Sequence, residues 1–294
     1  MTTIHITGAS GFLGSNLCRH FLKNGFQVNA IVRQGSLKKI TGFFGENFKT
    51  TIIDLEKLDQ LSFTLEKDDY VIHTASIDPA INEFVIEDLL DVNISLALKL
   101  MIMCAKSESR FLNIGTNWQH YKNRDYSPVS LYAASKEAHQ VFQKYFIEVE
   151  ELDAKTIELC DTYGTNDPRN KLLPLLMNYE LNAPEIELTD GHQLVDYLHI
   201  DDVVRAIDKI IENWDSNIDP DRMSLTSNKL ITVRKLVELC NSVRKGKIPV
   251  SFGKVKPRNK RQMEESWAKY PTPKGWHASI TLVTGLKELN FQNN

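Results

Sequence analysis

Two residues with the types and spacing for acid–base chemistry, Tyr132 and Lys136, stand four apart in the sequence. On a helix, side chains four apart share one face about a turn from each other. A phenol with a reference pKa near 10 is a poor acid–base group at neutral pH, and a neighbouring ammonium lowers that pKa. We therefore predict that Tyr132 donates a proton to a reacting oxygen and that Lys136 tunes its pKa.

The context of this pair decides between chemistry and packing, because Tyr-x-x-x-Lys also occurs on ordinary amphipathic helices. Thr116 closes a predicted strand sixteen residues before Tyr132, which brings its hydroxyl within reach of the same oxygen. The catalytic residues that we predict are Thr116, Tyr132 and Lys136. A glycine-rich segment far upstream strengthens this interpretation.

That segment, residues 7–14 (TGASGFLG), follows a predicted strand and opens a predicted helix. Glycines three apart let the backbone turn tightly, approach a pyrophosphate and direct the helix amides towards it. The spacing is G-x-x-G-x-x-G and not the commoner G-x-G-x-x-G, so the segment alone could be a simple turn. Its place between strand and helix favours a dinucleotide cofactor.

Arg33, at the end of the second predicted strand, bears on which dinucleotide binds. A carboxylate at this position would bond the adenosine ribose hydroxyls and favour NAD, whereas an arginine suits a 2′-phosphate. The alternative is a surface arginine at a strand end. We predict NADP, with NADPH as hydride donor. The residues predicted to contact it are Gly8, Ser10, Gly11, Phe12, Leu13, Gly14, Arg33, Ser36, Asp54, Leu55, Thr74, Ala75, Ser76, Tyr132 and Lys136.

The elements that must position these residues alternate between short β-rich runs and helical patterns. This rhythm predicts a doubly wound parallel sheet of the Rossmann type in an α/β protein. We predict an NADP-binding domain over residues 1–165, joined again by about 196–226. A smaller, mainly C-terminal lobe over 166–195 and 227–294 would bind substrate. The last forty residues, rich in Pro, Lys and Trp, are predicted to be irregular.

Composition excludes several classes of function. A net charge of −3 gives no case for binding nucleic acid or an anionic membrane surface. The four cysteines are far apart, so we predict reduced thiols and no metal site. The N-terminus lacks a signal-peptide pattern, and no stretch approaches the ~18 apolar residues of a membrane span. We therefore expect a cytoplasmic protein.

Together, these motifs resemble the extended short-chain dehydrogenase/reductases over nearly the whole chain, more weakly after about Val250. Further parts of the resemblance are Asn93, Tyr163-Gly164 and residues 191–202 (GHQLVDYLHIDD). It implies that Asn93 also belongs to the cofactor site. It further implies a homodimer in which helices at about 88–107 and 131–150 pair across a two-fold axis as a four-helix bundle.

Within that family, residues 113–121 (NIGTNWQHY), 131–136 and 166–173 look most like the CDP-abequose and CDP-paratose synthases. This subgroup implies NADPH-dependent reduction of the 4-keto group of a nucleotide-diphosphate 6-deoxy or 3,6-dideoxy hexulose. The product would serve bacterial surface polysaccharide (O-antigen). The residues predicted to bind this substrate are Trp118, Gln119, His120, Arg169, Lys171, Arg258 and Arg261. Trp118 could equally be a core aromatic.

Two departures from the family pattern shape this assignment. Sugar-nucleotide dehydratases carry Asp-Glu after the threonine, where this chain has Asn117-Trp118, so elimination of water lacks its acid and base. Many members also carry an arginine for the diphosphate shortly before the aspartate that Asp196 matches, where this chain has Leu194. The basic residues near the C-terminus, Arg258 and Arg261, are the predicted replacements.

Three alternatives to the reductase stay open at this point. A 4-epimerase with retained NAD would use the same tyrosine and lysine, although Arg33 favours an exchangeable NADPH. The keto group could belong to a substrate that is not a sugar. A regulator that senses NADP without chemistry is the alternative from another class, and the intact Tyr132 and Lys136 argue against it.

Overall fold

The computed structural model describes residues 2–40, 42–43, 45–55, 61, 63–78, 86–180, 183–216, 218–244, 246–257 and 261–292. Within those ranges, the strands are β1 Thr3–Thr7, β2 Gln27–Arg33, β3 Phe48–Ile53, β4 Tyr70–His73, β5 Arg110–Thr116, β6 Ala154–Leu159, β7 Asp161–Tyr163, β8 Ile186–Leu188, β9 Leu194–Val195, β10 Tyr197–His199, β11 Arg222–Leu225, β12 Ile231–Thr232 and β13 Val250–Phe252. The α-helices are α1 Phe12–Lys23, α2 Ile86–Leu90, α3 Leu96–Ser107, α4 Leu131–Val149, α5 Leu172–Met177, α6 Ile200–Glu212, α7 Val233–Val243 and α8 Leu282–Gln292. Among the described helices, none is long and apolar enough to span a bilayer.

Seven strands form one sheet in the order β11-β6-β5-β4-β1-β2-β3, and every pairing in it is parallel. Helices α1 and α6 pack against each other on one face, and α3 and α4 on the other. The predicted doubly wound sheet is confirmed. The strand order reverses between β1 and β4, and in such sheets the crevice at that point is where ligands bind.

The first βα unit follows from its side-chain pattern. Ile4 and Ile6 of β1 are fully buried, and parallel strands covered on both faces read as such apolar runs. Helix α1 begins at Phe12, within the glycine-rich segment, because Gly11 already has the extended backbone of an N-cap.

The long helix predicted from about residue 88 contains a π-helical turn, Asp91–Ser95, between α2 and α3. This turn carries Asn93, which is fully buried. Its side-chain amide accepts a hydrogen bond from the Ile77 N–H at 2.8 Å and donates to the Ile77 carbonyl at 3.0 Å. Single π-turns are often found where a functional side chain must be redirected, and this one ties the loop after β4 to the helix layer.

Strand β11 and helix α8 are among the elements that were not predicted. Strand β11 is only four residues long and includes Arg222 and Ser224, so its pattern is too short and too polar to signal a strand. Helix α8 lies in the segment predicted to be irregular. It forms because Leu286 is fully buried among residues of α5 and α7. Tertiary packing therefore stabilises a helix that the local composition does not indicate.

A second hydrophobic cluster lies apart from the two that flank the main sheet. It is built from residues between 163 and 197 and between 236 and 286, including Leu173, Leu176 and Leu236. The short pairs β10–β7, β12–β9 and β13–β8 surround it. The division of the chain into a cofactor domain and a substrate lobe stays a prediction, and this cluster is the core that such a lobe would have.

Helix α4 has an unusual distribution of side chains. Its buried positions are almost all polar, and they are Ala133, Ser135, Lys136, Glu137, His139 and Gln143. Its most exposed apolar side chains are Leu131, Val141, Phe142, Tyr145 and Val149. A surface helix normally turns its apolar stripe inward, so α4 is polar towards the sheet and apolar towards the outside of the chain.

We expect Gly8→Ala to destabilise the fold, measured as the free energy of unfolding in urea. Gly8 has φ of +65°, and a Cβ there would lie 2.8 Å from Ala75 Cα. The left-handed backbone costs roughly 1–2 kcal/mol for a residue with a Cβ, and forced displacement of a packed backbone roughly 1–3 kcal/mol more. Gly35→Ala, with open space around its Cβ, is the matched control. Equal stabilities of the two variants would contradict this account of Gly8.

Candidate active site

A cleft of about 560 Å³ lies at the carboxyl ends of the central strands. It brings together the glycine turn, the ends of β2, β4, β5 and β6, and the start of α4. The predicted site residues that line it are Gly8, Ser10, Gly11, Phe12, Leu13, Gly14, Arg33, Ser36, Leu55, Thr74, Ala75, Ser76, Thr116, Trp118, Tyr132, Arg169 and Lys171. One continuous surface therefore carries residues from separate motifs.

The glycine turn forms one wall of the cleft with backbone atoms, because its glycines have no side chains. A Cβ on Gly14 would lie 2.8 Å from Ala9 Cα, and Gly8 approaches Ala75 as closely. Helix α1 has Gly11 as its N-cap without a side-chain cap, and its first turn has no acidic residue. Its amides and dipole therefore face the cleft without an anionic side chain of their own, which fits the pyrophosphate of a dinucleotide.

Two cationic side chains, Arg33 and Lys39, line the end of the cleft beyond β2, together with Ser36. Sequence reasoning missed Lys39, although its position just past Arg33 in the 3₁₀ helix Gln34–Ile40 was a usable signal. Asp54 is exposed and does not line the cleft, whereas its neighbours Ile53 and Leu55 do. This end therefore offers positive charge, apolar surface and a hydroxyl.

Tyr132 is the second residue of α4, whose N-cap Ser130 accepts a hydrogen bond from the Ala133 N–H at 3.2 Å. Burial raises the pKa of Tyr132 to about 12, and the Asp78 carboxylate raises it further, while a hydrogen bond with Ser76 opposes this rise. We expected Lys136 to lower the pKa of Tyr132. In this structure that pKa is raised, because desolvation of the buried phenol is the largest effect on it. The phenol stays protonated at neutral pH.

Lys136 lies beneath the cleft surface and is only 1% exposed. Burial lowers its pKa to about 8, because desolvation disfavours the ammonium. Its neighbours His73 and His139 are buried too, and their pKa values are lowered mainly by desolvation and also by the Lys136 charge. Lys136 is therefore surrounded by apolar groups and by two histidines that are neutral at pH 7. It begins to lose its proton at mildly alkaline pH.

Thr116 ends β5 with its hydroxyl at the cleft. The hydroxyl accepts a hydrogen bond from the Trp118 N–H at 3.3 Å and donates to the Leu159 carbonyl at 3.4 Å. It thereby caps the 3₁₀ turn Asn117–Gln119. Trp118, in that turn, lines the cleft and is part-buried. The turn therefore fixes one hydroxyl and one aromatic wall of the same space.

The structure does not bring Gln119 and His120 to the cleft. Both side chains are fully buried behind it. His120 Nε2 lies 2.9 Å from Glu158 Oε1, and its ring contacts Tyr270 edge-on. The reason is local: the 3₁₀ turn reverses the chain after Trp118, so successive side chains leave the cleft. The role of both residues as substrate contacts finds no geometric support here.

The cations predicted for the substrate diphosphate are placed differently from one another. Arg169 lines the cleft, yet its guanidinium bonds both oxygens of Asp167 at 2.7 Å and lies 4.4 Å from the Phe12 ring centroid. Lys171 lines the cleft with its Nζ 3.1 Å from Asp161 Oδ1. Arg261 lies away from it and donates to Ser127 Oγ at 2.9 Å. Arg258 is outside the described residues.

Two carboxylates in the cleft, Asp78 and Asp161, escaped the sequence analysis. Both act on the pKa of Tyr132. Both come soon after strands that end at this edge of the sheet, since β4 ends at His73 and β6 at Leu159, and this position was the available signal. Asn93 and Lys136 stand behind the lining, where Asn93 holds the Ile77 backbone and donates to Ser135 Oγ at 2.8 Å. Tyr132 thus has two carboxylates near it in the cleft, whereas Lys136 lies in the apolar setting behind it.

Comparison with known proteins agrees with this geometry. The chain is 26% identical over 290 residues to a CDP-abequose synthase from Salmonella muenchen, covering 97% of this chain and 96% of the relative. A CDP-abequose synthase from Salmonella typhimurium is 24% identical over 296 residues, with the same coverage.

The fold also matches solved structures. A UDP-glucuronic acid 4-epimerase from Bacillus cereus, solved with UDP-glucuronic acid and NAD, has a TM-score of 0.80 at 18% identity, covering 99% of this chain and 98% of the other. The description "NAD dependent epimerase/dehydratase family" belongs to the family model that matches residues 4–225. The resemblance found in the sequence is confirmed: the chain is an NAD(P)-dependent oxidoreductase-type enzyme, and it belongs to the NAD dependent epimerase/dehydratase family.

Proposed function

We propose that this enzyme reduces the 4-keto group of a nucleotide-activated 6-deoxy or 3,6-dideoxy hexulose with NADPH. The observation that carries the proposal is the position of Tyr132 in the same cleft as the glycine turn and Thr116. A carbonyl that receives a hydride needs a proton on its oxygen, and the phenol of Tyr132 is a group that can donate one. The CDP-abequose synthase relatives, matched over 97% of the chain, support this choice of substrate class.

Each residue then has a definite task. Bound NADPH would supply the hydride. Tyr132 donates a proton to the carbonyl oxygen, and the Thr116 hydroxyl polarises the same oxygen by a hydrogen bond. Lys136, four residues from Tyr132 on α4, would hydrogen-bond the nicotinamide ribose of the bound cofactor. The amides of α1 and the backbone at Gly8 bind the pyrophosphate.

The choice of NADPH over NADH follows from charge at the adenosine end. Arg33 and Lys39 line it, and an exposed Asp54 lies outside the lining. A guanidinium and an ammonium stabilise a 2′-phosphate, whereas two ribose hydroxyls are better bound by a carboxylate. An exchangeable NADPH suits net reduction, and a 4-epimerase would instead retain its nucleotide through the reaction.

The substrate diphosphate needs a cation that can change partner. Arg169 has four of its N–H contacts committed to Asp167 and Thr162. The Nζ of Lys171 lies 3.1 Å from one carboxylate, that of Asp161. If a phosphate oxygen took the place of the Asp161 carboxylate, the ammonium of Lys171 would exchange one anionic partner for another. We assign diphosphate binding to Lys171 and sugar contact to Trp118.

The outward apolar face of α4 supports a homodimer. Val141, Phe142, Tyr145 and Val149 are each at least 40% exposed on the single chain. On the neighbouring helix α3, Ile102 is exposed as well, and α3 and α4 pack side by side. Two copies of this helix pair would bury the combined stripe as a four-helix bundle.

We expect Tyr132→Phe to lower turnover by ~10²–10⁴, the usual value of positioned acid–base catalysis. The ring stays, so NADPH binding should change little. The measurement is NADPH oxidation with a panel of CDP-, dTDP- and GDP-linked 4-keto-6-deoxy sugars, with Tyr126→Phe, 77% exposed, as the control. A Tyr132→Phe enzyme within threefold of wild type would remove the tyrosine from the mechanism. Interconversion of the two 4-hydroxy epimers of a nucleotide sugar, with no net oxidation or reduction of the cofactor, would instead indicate the 4-epimerase.

Arg33→Asp should weaken NADPH binding by ~1.5–3 kcal/mol, the value of a hydrogen bond to a charged group. NADH binding should lose far less, because NADH lacks the 2′-phosphate. Titration by NAD(P)H fluorescence measures both. Lys23→Asp makes the same charge change at the exposed far end of α1 and controls for net charge. Equal losses for the two nucleotides would show that Arg33 does not bind the 2′-phosphate.

Light scattering at micromolar concentration should give the mass of two chains. Val141→Glu places a charge in the middle of the proposed interface and should give the mass of one chain, because an unpaired charge is costly to bury. Ile218→Glu, at an exposed apolar position elsewhere, should leave the mass unchanged. A monomeric wild type, or a dimeric Val141→Glu variant, would reject the α3–α4 interface.

A further inference from the structure

A buried polar cluster behind the cleft joins the end of β5 to α4, β6 and β11. We call it the rear cluster, and its members are Gln119, His120, Glu137, Glu158 and Arg222. All but Arg222 are less than 9% exposed. None of the catalytic tasks above uses it. Because buried polar groups are costly unless each finds a partner, a cluster of this size directly behind the site needs a physical reason.

Gln119 connects the rear cluster to Thr116. Its Oε1 accepts a hydrogen bond from the Thr116 backbone N–H at 2.9 Å, and its Nε2 donates to Glu137 Oε2 at 2.6 Å. The amide of Gln119 must accept a hydrogen bond at its oxygen and donate one at its nitrogen. Only one of its two flipped orientations satisfies both partners. Gln119 is 0% exposed, so solvent cannot easily replace either bond. The peptide that leads into Thr116 is thereby fixed from behind.

Glu137 is itself held in place by the rest of the rear cluster. Its Oε2 accepts from Arg222 Nη2 at 3.2 Å, and Arg222 Nε donates to Glu158 Oε1 at 2.7 Å. The guanidinium also lies 4.5 Å from the Tyr270 ring centroid. A charge-assisted network that is anchored on three separate elements gives Gln119 a rigid partner.

We propose that Gln119 is a positioning residue that orients the Thr116 hydroxyl into the cleft. The 3₁₀ turn Asn117–Gln119 has a reciprocal cap at its beginning: the Thr116 hydroxyl accepts a hydrogen bond from the Trp118 N–H, and the Gln119 side chain accepts one from the Thr116 N–H. Without the second bond, the peptide before Thr116 can rotate, and both the hydroxyl and the Trp118 wall shift. The inference rests on the proposed function, because that function gives Thr116 its task.

The test compares Gln119→Met with Gln143→Met. Gln143 is also buried, at 3% exposed, and lies on α4, but its side chain accepts a hydrogen bond from Thr156, which is outside the rear cluster. We expect Gln119→Met to lower kcat by about 5- to 50-fold, with KM for the keto-sugar and the Kd for NADPH within about twofold, because displacement of one polarising group affects the reacting state most. Gln143→Met should keep kcat within about twofold. If Gln119→Met fails to fold, Gln119→Asn, which is one methylene too short to bridge both partners, replaces it with the same expectation.

A second readout needs no turnover. Hydrogen exchange of the Thr116 amide, followed by NMR, should accelerate at least tenfold in Gln119→Met and stay at the wild-type rate in Gln143→Met. A wild type without activity on any keto-sugar would refute the proposed function and leave this measurement intact. Unchanged Thr116 exchange in the Gln119 variant, or a kcat that matches the Gln143 control, would overturn the positioning role.

Discussion

The contact on which the site depends is the approach of the β1–α1 turn to the end of β4. Gly8 has its backbone where a Cβ would overlap Ala75, and the Thr74 hydroxyl donates to the Thr7 carbonyl at 2.6 Å across the same gap. This contact brings the first turn of α1 to the point where the strand order reverses. A crevice at that point is the general ligand position of a doubly wound sheet, and the remaining site residues are arranged around it.

The second constraint is the polar underside of α4. A helix that carries Tyr132 and Lys136 towards a sheet must bury polar groups, and each of them then needs a partner. Within the described residues some of these groups find a partner, whereas both ring nitrogens of buried His139 have none. Asn93 in the π-turn bonds Ser135, and Thr156 on β6 bonds Gln143. The positions of Tyr132 and Lys136 and the exposed apolar stripe therefore have one cause: the polar side of α4 faces the sheet and its apolar side faces outward.

Sequence predicted most of the α/β frame and the residues that meet in the cleft, because both depend on local patterns. Buried runs such as Ile4–Ile6, a glycine turn and a Tyr-x-x-x-Lys pair are visible without tertiary information. Side-chain direction was not visible. Gln119 and His120 follow Trp118 directly, yet a 3₁₀ turn sends them behind the wall. The pKa of Tyr132 was expected to fall and instead rises, since burial cannot be inferred from spacing. Helix α8 was hidden because its apolar partners lie more than forty residues away along the chain.

The N-terminus of α1, which has no side-chain cap, affects the stability of the protein as well as its binding of ligands. Helix termini normally receive a capping side chain that contributes about 1 kcal/mol, and here Gly11 provides none. Any anion that completes this terminus binds the native chain and not the unfolded one, and a ligand at a hundred times its Kd adds about 2.7 kcal/mol to stability. The fraction of unfolded chain, and with it the rate of proteolysis, therefore falls as the dinucleotide supply rises.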